Sequence, residues 1–127
     1  MNIPEALRYT IDHEWLRKEG KLAVIGVTDY AQSELGDIVY VEIETLDEEL
    51  EAGEVFGTIE AVKTVSDLIM PVSGKIVEVN TGLEEKPETV NTDPYNEGWM
   101  IKVEISDQSE ADSLLDAVDY KSKIGID

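Results

Sequence analysis

Short apolar segments recur along this chain at intervals of roughly ten residues, several with two-residue alternation, and this cadence constrains the fold more than any other feature. Lys21 to Val27 is apolar and β-branched and follows the turn residue Gly20. Asp37 to Ile43 alternates: Ile38, Tyr40 and Glu42 fall on one side, and Val39, Val41 and Ile43 on the other. Strict alternation suits a strand with one buried face. Glu54 to Val62 runs up to Lys63-Thr64, and Val65 to Met70 returns. Pro71-Val72-Ser73-Gly74 is turn material, and Lys75 to Asn80 and Trp99 to Ile105 are further strands. Closely spaced short strands predict a mainly β fold, a small barrel or sandwich rather than an α/β architecture.

Helices enter as accessories. Thr28 can cap a short helix, Asp29 suits its electropositive first turn, and Gly36 suits a left-handed exit. Leu83 to Val90 reads as an irregular or one-turn helical loop broken at Pro87. Near the C-terminus, Ala111, Leu114, Leu115 and Val118 make a stripe at helical spacing, expected to pack one helix against the barrel. No stretch rich in Pro, Gly or Ser divides the chain, so one domain over residues 1–127 is expected.

Composition narrows the chemistry. The 127 residues contain no cysteine and one histidine, which excludes disulfides, thiolate metal sites, a cysteine nucleophile and multi-histidine metal centres. Twenty-nine acidic against 10 basic side chains give a formal net charge of -19. Such a field repels phosphate backbones, so nucleic acid is not an expected partner. The N-terminal residues lack an apolar signal core and an Arg/Ser-rich amphipathic pattern. Apolar runs fall far short of the ~20 residues that span a bilayer. The chain therefore reads as a cytoplasmic, prokaryotic protein without a membrane partner.

Catalytic constellations are nearly empty. His13 makes a Ser–His–Asp triad arithmetically possible, but no serine sits in a Gly-x-Ser-x-Gly elbow. Seven acids between Glu42 and Glu54 lack the alternating offsets of a calcium loop and read as a solvated run. Lys63 is more informative. It stands where two strand patterns meet, between Ala61-Val62 and Thr64-Val65. A lysine at such a turn is either a plain solubilising charge or an amine held out for a modifying enzyme. Glu60, three residues earlier, would give that enzyme a landmark.

Several segments in order carry a family resemblance. They are Tyr9-Thr10 with His13-Glu14-Trp15, Ile25 to Gln32, and Leu35 to Glu42. Further on come Glu60-Ala61-Val62-Lys63-Thr64-Val65-Ser66-Asp67, Pro71 to Asn80, Val90 to Tyr95, and Gly98-Trp99. Across about residues 7 to 120 the chain resembles the H-protein family of the glycine cleavage system, the lipoyl-carrying shuttles. The resemblance implies a barrel-sandwich hybrid of the lipoyl/biotinyl-carrier type, with a short helix in the N-terminal half and a C-terminal helix. It implies lipoate attached to Lys63 as N6-lipoyllysine, and no catalytic residue and no metal of the protein's own. The partners it implies are glycine decarboxylase (P protein), aminomethyltransferase (T protein), dihydrolipoyl dehydrogenase (L protein), and a lipoate ligase or lipoyl/octanoyl transferase. The chain would be a monomeric carrier in glycine catabolism and one-carbon metabolism, taking the aminomethyl group of glycine from the pyridoxal-phosphate decarboxylase to the aminomethyltransferase.

The family is thought to shelter the loaded arm in a cleft, where Glu14 and Asp67 are the candidates to hold its ammonium. Trp15 and Trp99 are candidate cleft walls, although most tryptophans in small domains are simply core, and His13 is expected to serve packing or a local hydrogen bond. Two departures stand out. Glu44 to Glu49 replaces a Pro- and Gly-containing loop, and Thr64 replaces a smaller Ala or Ser. They keep open an H-like paralogue acting in lipoate transfer or another sulfur pathway. Three rivals differ more: a biotin carrier would flank its lysine with methionines, a 2-oxoacid dehydrogenase lipoyl domain would lack Asp93-Pro94-Tyr95, and a hydrolase would use His13.

Overall fold

The computed structural model describes residues 1–126; Asp127, within the expected domain, lies outside the described residues. In chain order the strands and helices are β1 (Arg8–Tyr9), β2 (Glu14–Glu19), β3 (Leu22–Val27), α1 (Asp29–Leu35), β4 (Ile38–Glu42), β5 (Glu49–Leu50), β6 (Val55–Ala61) and β7 (Val65–Ile69). They continue with β8 (Gly74–Val79), α2 (Gly82–Glu85), α3 (Thr89–Thr92), β9 (Ile101–Ile105), α4 (Gln108–Asp112) and α5 (Ala117–Ile124). The strands form a six-stranded sheet in the order β1-β2-β3-β9-β8-β5 and a three-stranded sheet in the order β4-β6-β7. Every pairing is antiparallel. The mainly β sandwich expected from the strand cadence is the fold observed.

Two apolar clusters hold the sheets. The larger collects Leu16, Ile25 and Val103 from one sheet and Val41, Phe56 and Ile59 from the other, so it fills the space between them. The second lies on the opposite face of the large sheet, where Ile3, Leu7 and Tyr9 meet Trp15, Val24, Ala117 and Tyr120. Strand β3 is therefore covered on both faces. That explains its continuous apolar run, since a doubly buried strand has no solvent side to mark with polar residues.

Local rules account for α1. Thr28 Oγ1 accepts the Ala31 N–H at 3.1 Å, and Gly36 leaves the helix at φ 82° while its N–H reaches Gln32 O. Strand β4 departs from the expected alternation. Its register against β6 shifts between Ile38 and Tyr40, so Ile38 and Val41 are buried while Val39 and Tyr40 are both exposed. The extra residue of a bulge reverses the phase of everything after it.

The C-terminal stripe also needs correction, because its residues do not share one helix face. Helix α4 ends at Asp112, and Leu115 instead pairs with Tyr9, donating to Tyr9 O at 3.0 Å and accepting from Tyr9 N–H at 2.8 Å. Asp116 then caps α5 through the Asp119 N–H, and Val118 is left 72% exposed. A strand-like bridge and a new cap override the helical spacing. No helix among the described residues is long and apolar enough to cross a membrane.

Candidate functional site

Lys63 occupies the tip between β6 and β7. Ala61 N–H donates to Thr64 O at 2.7 Å, closing the hairpin, and Val62 N–H donates to Asp37 O at 3.0 Å, tying the tip to the turn between α1 and β4. Val62 and Val65 beside it are exposed, as is Lys63 itself. The lysine stem crosses Gly36, where a β-carbon would stand 3.4 Å from Lys63 Cε. Glycine at that position serves both the left-handed helix exit and the passage of the stem. The lysine makes no ion pair among the described residues. Asn91 of α3 steadies this corner: its side-chain amide donates to Gly36 O at 2.9 Å and to Gln32 Oε1 at 3.0 Å, and its carbonyl accepts the Ile38 N–H at 2.9 Å.

Next to this corner lies a cleft of about 140 Å³ between α1, β7 and the turn entering β2, whose lining includes Leu35, the neighbour of Gly36. The structure brings Glu14 and Asp67 together on its wall, with Asp12, His13, Glu34 and Ser66. Glu60 is elsewhere, exposed on β6 between Tyr40 and Val65 in the cross-strand row. Trp15 and Trp99, candidate walls that could equally have been plain core, do not line the cleft. Trp15 is fully buried in the second cluster with its indole N–H donating to Pro94 O at 3.0 Å, and Trp99 packs against that cluster under the Lys102 ammonium.

Glu14 is the unusual member. It is 2% exposed; its Oε2 accepts the Ile69 N–H at 2.7 Å, while Oε1 is buried and has no hydrogen-bond partner among the described residues. Burial pushes its carboxyl well above the ordinary 4.5; the Ile69 hydrogen bond opposes that rise and the charge of Asp12 adds to it. A buried carboxyl with one unpartnered oxygen, on a residue of an acid-lined cleft, has the chemistry to receive a cation that brings its own N–H donors.

His13 stands at the same wall with a left-handed backbone, φ 65°. Burial lowers its pKa against the opposing charges of Asp12 and Glu34, which favours the neutral ring. Its Nδ1 lies 3.0 Å from the hydroxyl of Tyr120, and that hydroxyl lies 2.8 Å from Thr28 Oγ1. The expected local hydrogen bond of His13 is therefore present, with a partner 107 positions away. Sequence reasoning did not single out Asp12, Glu34, Ser66, Asn91 or Tyr120. Asp12 adjoins the His13-Glu14 pair and was within reach; nothing in the sequence links Tyr120 to that pair.

Comparison with known proteins gives consistent matches. The sequence model of the family described as glycine cleavage H-protein matches residues 7–125. The glycine cleavage system H protein of Bacteroides thetaiotaomicron is 59% identical over 124 residues, covering 98% of each chain. That of Bacteroides fragilis is 58% identical with the same coverage. The crystal structure of a glycine cleavage system H protein from Mycobacterium marinum superposes with a TM-score of 0.89 at 40% identity, covering 98% of this chain and 100% of that one.

Proposed function

We propose, on the premise that the chain belongs to the glycine cleavage H-protein family, that Lys63 carries lipoate in amide linkage and that the neighbouring cleft shelters the arm's cargo. The chain is a lipoyl carrier of the glycine cleavage system with the barrel-sandwich fold of lipoyl domains, and its partners are the P, T and L proteins. It acts as a single, monomeric, non-catalytic cytoplasmic domain, modified by a lipoate ligase or a lipoyl/octanoyl transferase that reads Glu60 beside the acceptor. The observation that carries the attachment site is Lys63 itself, an exposed amine without an ion pair among the described residues, on a hairpin tied at both Ala61–Thr64 and Val62–Asp37. When bound, lipoate would supply a disulfide that takes up the aminomethyl group of glycine, sulfur chemistry absent from a chain without cysteine.

The chain's own residues then hold and protect. Gly36 and Leu35 lead from the lysine stem to the cleft. Glu14 Oε1 and Asp67 would accept charge-assisted hydrogen bonds from the cargo's primary ammonium. By keeping that nitrogen protonated they would occupy the lone pair needed to expel sulfur, and so suppress wasteful hydrolysis. Val27, Leu35, Ile59 and Leu68 supply the apolar part of the lining, which limits water.

A tryptic mass map after incubation with lipoate ligase, lipoate and ATP tests the attachment. An amide at Lys63 blocks cleavage there, so Leu22–Lys75 should appear as one peptide with a lipoyl increment. Lys63→Arg should remain folded and gain no mass. Separate, unmodified Leu22–Lys63 and Thr64–Lys75 peptides, from a ligase active on another H protein, would refute the assignment.

A further inference from the structure

Tyr120 is remote from Lys63 in sequence, and its ring stacks on Tyr9 with centroids 4.7 Å apart and planes within 8°. Packing alone would account for a phenylalanine. The hydroxyl does something more specific: on a fully buried residue, it lies against His13 Nδ1, on the turn into β2 that lines the cleft, and against Thr28 Oγ1, which caps α1, the helix that supplies the opposite lining residues. The same two elements are also joined by the backbone, since Thr28 N–H donates to His13 O at 3.0 Å. That bond fixes the spacing of the main chains but leaves the imidazole free to turn. Tyr120 removes this freedom. Its phenol stays protonated, because burial raises its pKa to about 12 while the Thr28 hydrogen bond opposes the rise.

We infer that Tyr120 is a positioning residue for cargo protection: its hydroxyl braces the imidazole of His13 against the cap of α1, and so sets the cleft wall to which Glu14 belongs. Glu14 follows His13 directly and inherits its placement from the left-handed turn. His13 Nε2, which has no hydrogen bond among the described residues, is then the ring atom left for the cleft. This rests on the cleft reading given above.

The test uses the lipoylated protein carrying its aminomethyl cargo, without partner enzymes. Spontaneous loss consumes one water and yields one formaldehyde, one ammonia and one protein thiol. Tyr120→Phe keeps the stack on Tyr9 and removes only the hydroxyl. It should lose cargo about five-fold faster or more, the effect expected from one hydrogen bond. The unmodified protein offers an independent readout. With one histidine in the chain, its imidazole ¹⁵N spectrum belongs to His13 alone, and it should change from a single fixed tautomer to an averaged pair in the variant.

His13→Asn tolerates the left-handed backbone and also removes the contact; it should speed loss to a similar degree, and the double variant should be no faster than either single one. Wild-type loss rates in Tyr120→Phe, additive effects in the double variant, or an unchanged imidazole spectrum would overturn the inference, whatever happens to thermal stability. Glu14→Gln that keeps its cargo as long as wild type would instead remove the cleft reading beneath it.

Discussion

At the scale of single residues, Glu14 is a buried carboxyl that weighs against stability. Below its ordinary value of 4.5 the carboxyl is protonated in both the folded and unfolded states. Above that value the unfolded chain releases the proton while the fold retains it, so stability falls as pH rises through the elevated folded value. Glu14→Gln keeps an oxygen for the Ile69 N–H and removes this linkage. The variant should be more stable than wild type at pH 7, on the order of 1–3 kcal/mol, with the two curves converging below pH 4.5 in denaturant titrations. A variant less stable at neutral pH would show that Glu14 is already compensated in the fold. The sequence made Glu14 visible beside His13, but not its burial, which depends on the Ile69 N–H 55 positions away. Lys63 was easier to read because the turn that exposes it is closed locally, by the Ala61–Thr64 hydrogen bond.

Among the elements, legibility followed the range of the interactions. The β6–β7 hairpin could be read directly, since its strands and turn are contiguous. Strand β2 was not identified: four of its six residues are charged, and it is a strand because all six pair with β3. That pairing sets Trp15 opposite Gly26, where a β-carbon would stand 2.8 Å from three atoms of the indole. The ring cannot yield, being fully buried and held through its N–H to Pro94 O. Gly26→Ala should therefore destabilise the protein by about 1–3 kcal/mol, read from the denaturant midpoint and Trp15 fluorescence. An unchanged midpoint would mean that the hairpin can slide apart at no cost. The C-terminal stripe misled for the opposite reason, its helical spacing having no say over the Tyr9–Leu115 bridge.

For the whole molecule, the formal charge of -19 was legible from composition, while the convergence of Asp12, Glu14, Glu34 and Asp67 on one cleft required the fold. A carrier that serves several enzymes must meet and leave each one quickly, and long-range attraction raises encounter rates without large buried interfaces. Cargo transfer to basic partner surfaces should slow as salt shortens the Debye length from about 10 Å at 0.1 M; a rate flat in salt would reduce the charge to a solubility device. The two sheets also differ in when they can exist. The β4-β6-β7 sheet comes from one continuous stretch ending at Ile69, whereas the His13–Tyr120 contact joins distant parts of the chain. At 5–20 residues per second, the fifty or so residues separating Ile69 from Tyr120 take about 3–10 s to synthesise. On the ribosome, the Lys63 hairpin and the residues that line the neighbouring cleft are all made before Tyr120, so a nascent chain would expose Lys63 while the His13 brace is still missing.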